Sequence, residues 1–411
     1  SENIKIPDTY EDIFVGDSEM ARLLRVHDWT ATSLGSPQHW PDGLKVALRL
    51  LLTSKFEMWL GWGPDIHFFY NDAYRPTLGN KHPRSIAMPT RELWAEIWDD
   101  IKGRLETVYQ KGEATWDRAL LLILERAGYP EETYHTFSYS PLLGDQGTVE
   151  GVFCAVSEET DRVISERRLE SLRQLALALA GAQGHEAVLD AVEAELARND
   201  RDMPFALVYL FDETGAPVLA RNCAGMDPDH PCAHAAGAAE DSWGVKRVQL
   251  DWTAPLIDEC THADLPTGSW DRPPTKIAVV PLVDRGNDRP LGALVVGLNP
   301  YRPAGEQYLS FLELLAGQIT AGLTSSYAFE AERERAAALA EVATMREEAS
   351  RVLEQANRQL ISEVELRTQE RDRIRRLFRQ APSFMCILKG PDHVFDMVDA
   401  AYQPLVGHRD G

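Results

Sequence analysis

From Leu323 to Ala381 the chain runs for 59 residues without a Gly or Pro. That stretch predicts one continuous helix over 323–381, up to about 90 Å long at ~1.5 Å per residue. In one heptad register the seam positions are Leu339, Val342, Arg346, Ala349, Leu353, Ala356, Leu360, Glu363, Arg367, Glu370, Ile374 and Leu377, of which eight are apolar. The pattern predicts a parallel coiled-coil homodimer whose seam is interrupted by charge toward its C-terminal end. A lone helix of this length would have nowhere to bury its apolar stripe.

A second, shorter helix is predicted over 161–182, with Leu169, Leu172, Leu175 and Leu179 on one side. It separates two regions of different texture. Upstream, behind an N-terminal helical cap over 1–45, aromatic-rich strand patterns cover Phe56–Leu60, Ile66–Tyr70, Trp116–Glu125, Glu132–Tyr139 and Val149–Val156, with a helical pattern over Glu92–Gln110. Two strands, helices and then a three-strand meander predict an antiparallel sheet with helices on one face, spanning 46–160. Downstream, 183–325 reads as a helix (His185–Arg198), a strand pair (Phe205–Phe211, Ala216–Arg221), a long loop region (Asn222–Pro274), two buried strands (Ile277–Val283, Gly292–Gly297) and a closing helix (Ala304–Ser325). Both regions are of the α+β class.

An internal repeat adds a further module. Gly63-Pro64-Asp65 is followed by Tyr74-Arg75-Pro76-Thr77-Leu78-Gly79, and Gly390-Pro391-Asp392 is followed by Tyr402-Gln403-Pro404-Leu405-Val406-Gly407. The start of the first sheet region therefore recurs over 382–411, after the long helix, as the beginning of a second copy. Because the chain starts at Ser and stops at Gly411 inside that copy, it is expected to be a piece of a longer protein.

Charge narrows the choice of partners. There are 64 Asp+Glu against 42 Lys+Arg in 411 residues, a formal charge of -22. This argues against nucleic acid or an anionic membrane as the main partner. Between Glu330 and Arg379 the signs balance, 11 against 11, so the acid sits on the two sheet regions and the helix expected to pair with its twin is neutral. No long apolar run or signal peptide is visible, and five scattered cysteines (154, 223, 232, 260 and 386) do not form a disulfide framework. A reducing, cytoplasmic setting is expected.

Several separated segments carry a resemblance. Trp59-Leu60-Gly61-Trp62-Gly63-Pro64-Asp65, Phe69-Tyr70-Asn71-Asp72-Ala73-Tyr74, Gly79-Asn80-Lys81-His82-Pro83, Gly128-Tyr129-Pro130-Glu131-Glu132-Thr133-Tyr134 and Phe137-Ser138-Tyr139-Ser140-Pro141 resemble the PAS domain that opens many bacterial sensor histidine kinases. Leu265-Pro266, Gly268-Ser269-Trp270, Val280-Pro281-Leu282 and Gly292-Ala293-Leu294-Val295-Val296-Gly297-Leu298 resemble the GAF domain that follows it. Asn357-Arg358-Gln359-Leu360 and Glu370-Arg371-Asp372-Arg373-Ile374 look like a signalling helix entering a second PAS domain. The resemblance implies the sensory input and transmission region of a cytoplasmic two-component kinase, acting on a response regulator through a kinase domain outside this chain. A cyclase, phosphatase or diguanylate cyclase output would use the same input modules. The phosphoacceptor His setting, Gly-rich phosphate loops, His-Glu-x-x-His and Gly-x-Ser-x-Gly are absent, so no catalytic residue is assigned.

Three sites are open. A hollow on the first sheet, lined by Trp59, Trp62, Phe69, Trp94, Trp98, Phe137 and Tyr139, could hold a flat ligand, or these rings simply fill the core. Haem would need His82 or His135; a flavin adduct would need a helical Cys, whereas Cys154 falls in a strand. In the second region Cys232, His234, Cys260 and His262, with His230 and Cys223 nearby, are of the types zinc prefers, and a bilin thioether is the other possibility there. Against a bilin stand the lack of an N-terminal Cys and of a Cys followed directly by His. The cofactor is left unassigned.

Overall fold

The computed structural model describes residues 10–227, 229–230, 232–233, 243–260, 262, 264–284, 286, 289–327, 345, 348, 351 and 353–369, with short strands at 388–389 and 394–395. It divides into two compact units, Ser1–Thr160 with Arg358–Gly411, and Asp161–Asn357.

The first unit opens with α1 (Glu19–Val26), whose N-cap Ser18 accepts from the Ala21 N–H, and α2 (Asp42–Thr53). Strands β1 (Met58–Trp62) and β2 (His67–Tyr70) follow, then short helices α3 (Arg75–Leu78) and α4 (Thr90–Leu93) and the longer α5 (Trp98–Lys111). The meander β3 (Thr115–Leu124), β4 (Glu131–Leu143) and β5 (Val149–Glu158) completes an antiparallel sheet of order β2-β1-β5-β4-β3. The pattern over Glu92–Gln110 is therefore two helices rather than one. The backbone leaves the helix at Trp94 (φ -111, ψ 40), whose ring lies 4.3 Å beneath the buried Lys81 ammonium.

Helices cover both faces of this sheet, which corrects the one-face expectation. Trp59 and Phe68 meet on the α5 side, with ring centroids 4.9 Å apart. On the opposite side Phe69 stacks on Trp29 at 5.3 Å and meets Trp40 edge-on at 5.7 Å, so the N-terminal segment seals that face with its own aromatics. Gly61 is needed where the hairpin closes: a Cβ there would lie 2.2 Å from Ile66 Cγ2.

The second unit begins with α6, which the chain enters at Thr160 and leaves at Gly181, followed by α7 (His185–Leu196), β6 (Phe205–Phe211), β7 (Pro217–Ala224), α8 (Val245–Leu250), β8 (Leu256–Glu259), β9 (Lys276–Leu282), β10 (Gly292–Gly297) and α9 (Glu306–Tyr327). Its sheet has the order β7-β6-β10-β9-β8, the same 2-1-5-4-3 order as the first. All six residues of β10 are buried, as a central strand covered on both faces requires. Leu294 and Val296 face a core with α7 and α9, and Ala293 and Val295 face one closed by Trp243, Val245 and Leu265. Helix α8 and edge strand β8 lie inside the region expected to be loop; β8 is only four residues long and alternates in exposure, which leaves a weak pattern.

Residues 353–369 are helical, with Leu353, Ala356 and Leu360 half-buried, while Glu363 pairs with Arg367 one turn on. The other seam positions, Leu339, Val342, Arg346, Ala349, Glu370, Ile374 and Leu377, lie outside the described residues. From the repeat over 382–411 the described part is an antiparallel pair, β11 (Leu388–Lys389) with β12 (Val394–Phe395).

Candidate functional site

On the α5 side of the first sheet lies a hollow of ≈ 30 Å³. Of the residues named above, Trp59, Trp94, Phe137 and Tyr139 line it, joined by Tyr74, Thr77, Ile101, Leu122, His135 and Cys154. Trp62, Phe69 and Trp98 do not. The cause for two of them is strand alternation: Leu60 pairs with Phe69 and Trp62 with Gly151, so both rings point to the face opposite Trp59. Trp98 opens α5 and packs half-buried on the core without reaching the hollow.

A volume of ≈ 30 Å³ admits one or two waters, well below the several hundred Å³ of a pocket for a flat organic ligand. In this conformation the rings fill the space between sheet and helix. Polar groups nevertheless converge on it. The Thr77 hydroxyl is buried with no hydrogen-bond partner among the described residues. His135 Nε2 lies 3.1 Å from Thr133 Oγ1, which itself donates to the Leu122 carbonyl at 2.7 Å. Burial pushes the His135 imidazole down to about 4, so it is neutral at ordinary pH. Burial likewise pushes the Cys154 thiol up, so its resting state is the unreactive thiol. The second haem candidate, His82, has both nitrogens engaged, by Tyr70 Oη at 2.9 Å and Glu19 Oε1 at 3.2 Å.

From His135 the polar groups continue to the place where the sheet hands the chain to α6. Glu158, the last residue of β5, takes two hydrogen bonds from the Arg126 guanidinium, both 2.7 Å, and one from the Thr160 hydroxyl at 2.8 Å. Arg126 also donates to Glu131 at 3.0 Å, and Thr160 Oγ1 accepts from the Tyr134 N–H at 3.0 Å. Arg367 donates to the Glu158 carbonyl at 2.8 Å. Glu57, just before β1, completes the group: its Oε2 is buried without a partner among the described residues. Burial, then repulsion from Glu158, pushes the Glu57 carboxyl up to about 7. Nothing in the local sequence around Glu57 marks it; only the pairing of β1 with β5 brings it beside Glu158.

The second unit holds a buried acid of the opposite kind. Asp202, with a side chain 0% exposed, receives Arg167 from α6 at 2.8 and 2.9 Å, Arg168 at 3.2 Å and Asn199 at 3.0 Å. Burial alone would push its carboxyl up, but the Arg167 hydrogen bonds and the charges of both arginines hold it below the usual range. The Arg168 guanidinium lies 4.3 Å over the Tyr308 ring, whose hydroxyl donates to the Asp202 carbonyl. Helix α6 is thus fastened to the second unit through this carboxylate as well as through Leu172 and Leu175, which are buried in its apolar core.

Of the residues named as zinc candidates, Cys232 has its thiol pushed up by burial and then by Cys260. Trp243 Nε1 donates to the Cys232 carbonyl at 2.7 Å and its ring meets His262 edge-on at 5.3 Å. His234 lies outside the described residues. Among the described residues no group of three or more His, Cys, Asp or Glu is placed to hold a metal ion. A larger cleft of ≈ 450 Å³ between the Trp252–Pro255 loop, the end of β9 and α9 offers two carboxylates, Asp284 and Glu313, but no histidine, cysteine or cation.

No family model and no curated protein matches the chain. Solved structures do. The GAF domain from an Acinetobacter phosphoenolpyruvate-protein phosphotransferase aligns at 21% identity over 39% of this chain and 95% of that one, with a TM-score of 0.29. A sensory box sensor histidine kinase from Vibrio cholerae aligns at 17% identity over 28% and 90%, with a TM-score of 0.21. The Stigmatella aurantiaca phytochrome photosensory core module aligns at 12% identity over 67% of this chain and 59% of that one, with a TM-score of 0.28. Scores this low leave the functional reading to the residues. No helix among the described residues is long and apolar enough to cross a membrane.

Proposed function

We propose that the chain is the sensory input and signal-transmission region of a two-component sensor histidine kinase, with PAS-type and GAF-type units feeding a dimeric helix over 323–381. The observation that supports this best is the chain of polar contacts at β5 and α6. His135 on the hollow, Glu158 with Arg126 at the strand end, Thr160 at the start of α6 and Arg167 with Asp202 further along it follow one another along the polypeptide. A change in the hollow would alter the hold on the start of α6, and α6 carries it into the second unit. Downstream, a seam carrying Arg346, Glu363, Arg367 and Glu370 among its leucines has competing packings of similar energy, which is what a relay between two states needs.

Dimerisation is tested by sedimentation. The chain is expected to run as a dimer, and replacing Leu353 and Leu360 together by Asp is expected to give monomers with unchanged circular dichroism in the sheet region. A chain that is monomeric before substitution would overturn the reading. Absorbance and intact mass of the purified chain separate a bound chromophore from an unliganded module.

A further inference from the structure

We propose that Glu57 is a proton-binding site, and that the proton it takes up tightens the hold of the first sheet on the start of α6 by acting through Glu158. The site is built from the contacts already described. Glu57 Oε2 is buried without a hydrogen-bond partner among the described residues, so the ionised form has nowhere to place half of its charge. Two guanidinium groups oppose its charge, Arg367 and then Arg126, and their hydrogen bonds go elsewhere: Arg367 donates to the Glu158 carbonyl, and Arg126 to Glu131 and to both oxygens of Glu158. Glu57 and Glu158 therefore repel one another, and of the two it is Glu158 that receives the Arg126 hydrogen bonds. Like charges at such range cannot all ionise cheaply, and the proton goes to the member with the fewest donors.

The charged and titratable groups facing Glu57 come from several elements. Burial raises its proton affinity most and Glu158 of β5 next, while Arg367, the Glu158 backbone N–H and Arg126 lower it. Tyr74 and Cys154 also feel it, but burial holds both neutral. Glu57 is thus the group of this set that changes charge near neutrality.

The consequence falls on the junction. With Glu57 protonated, Glu158 is free of the repulsion and is held by Arg126 and Thr160, and Thr160 in turn holds the Tyr134 N–H. With Glu57 ionised, Glu158 is pushed from behind and the bonds through Thr160 weaken. The step needs nothing beyond a proton from solvent: an O–H bond forms at the Glu57 carboxylate and its charge is removed. It concerns the first unit and does not depend on which output lies downstream.

Two measurements on the intact chain test it. Carboxyl-carbon NMR with labelled glutamate is expected to show one resonance titrating near neutrality that disappears in Glu57→Gln. Hydrogen exchange at the Tyr134 and Glu159 amides, corrected for its intrinsic pH dependence, is expected to speed up several-fold from about pH 6 to about pH 8, and to stay flat in Glu57→Gln. A Glu57 resonance titrating in the ordinary glutamate range overturns the site without any variant being needed. Titration near neutrality with exchange unchanged in the parent chain, or changed equally in Glu57→Gln, overturns the coupling.

Discussion

Each unit buries an acid against an arginine, and the two acids end in opposite states. Asp202 is the more deeply buried and is nevertheless held ionised, because Arg167, Arg168 and Asn199 all donate to it. Glu57 is less buried and is pushed up to about 7, by burial first and then by repulsion from Glu158, while the Arg126 hydrogen bonds go to Glu131 and Glu158 and Arg367 donates to the Glu158 carbonyl. At Asp202 the donors outweigh burial, and at Glu57 burial and a like charge outweigh the opposing groups. The contrast also divides the labour of the molecule: the satisfied acid fixes a helix to its core, and the unsatisfied one is left able to respond.

The largest test of this contrast is Asp202→Asn. It removes the counter-charge of two partly buried guanidinium groups and is expected to cost about 3–5 kcal/mol, read from hydrogen exchange across α7 and β6. A loss below about 1 kcal/mol would show the cluster to be solvated and would dissolve the comparison. Arg126→Met is next, at about 1.5–3 kcal/mol for the charged hydrogen bonds lost, and it should raise the Glu57 midpoint further, which NMR titration reads directly. Thr160→Val removes one hydroxyl that bridges Glu158 and Tyr134, and is expected to cost about 1 kcal/mol, confined to β4, β5 and the first turn of α6.

The subtlest effect is one of sign with pH. Asp202 has a folded pKa below its reference of 3.8, so its contribution is fully present above that value and is lost as the pH falls through the folded pKa. Glu57 has a folded value of about 7 against a reference of 4.5, so the folded chain binds the extra proton and stability declines as the pH rises through that window. Thermal melts of Glu57→Gln and of the parent should therefore diverge with rising pH, in favour of the variant. Parallel curves would remove the distinction between the two acids.

Much of the architecture was readable from residue order. Strands β6 and β10 fall on the residues expected from their continuous apolar runs, and both sheets appear where runs of period two or unbroken apolarity are bounded by turn residues. What was not readable was which way a doubly buried strand faces. In β1 and β2 nearly every position is apolar, so the sequence does not distinguish the side of Phe68 from the side of Phe69; the hydrogen-bond register does. Thr77 was missed as a hollow-lining residue for a related reason, since a small polar residue in apolar surroundings carries no periodic signal, while His135 had been named only as a haem ligand. The Glu57 and Asp202 clusters were illegible because each joins residues tens of positions apart, and charge patterning reads only neighbours along one element.

The shared 2-1-5-4-3 strand order has a consequence for how the chain is made. In each sheet the last strand to be synthesised is the middle one: Trp59 of β1 waits for Cys154 of β5, and Val208 of β6 waits for Leu294 of β10. On the ribosome, then, the middle strand of each sheet cannot pair with its neighbours until both flanking hairpins have emerged, which makes its pairing the most non-local of the unit. The aromatic cluster of Trp29, Trp40 and Phe69, formed entirely from early residues, gives the first pair something to fold against during that wait.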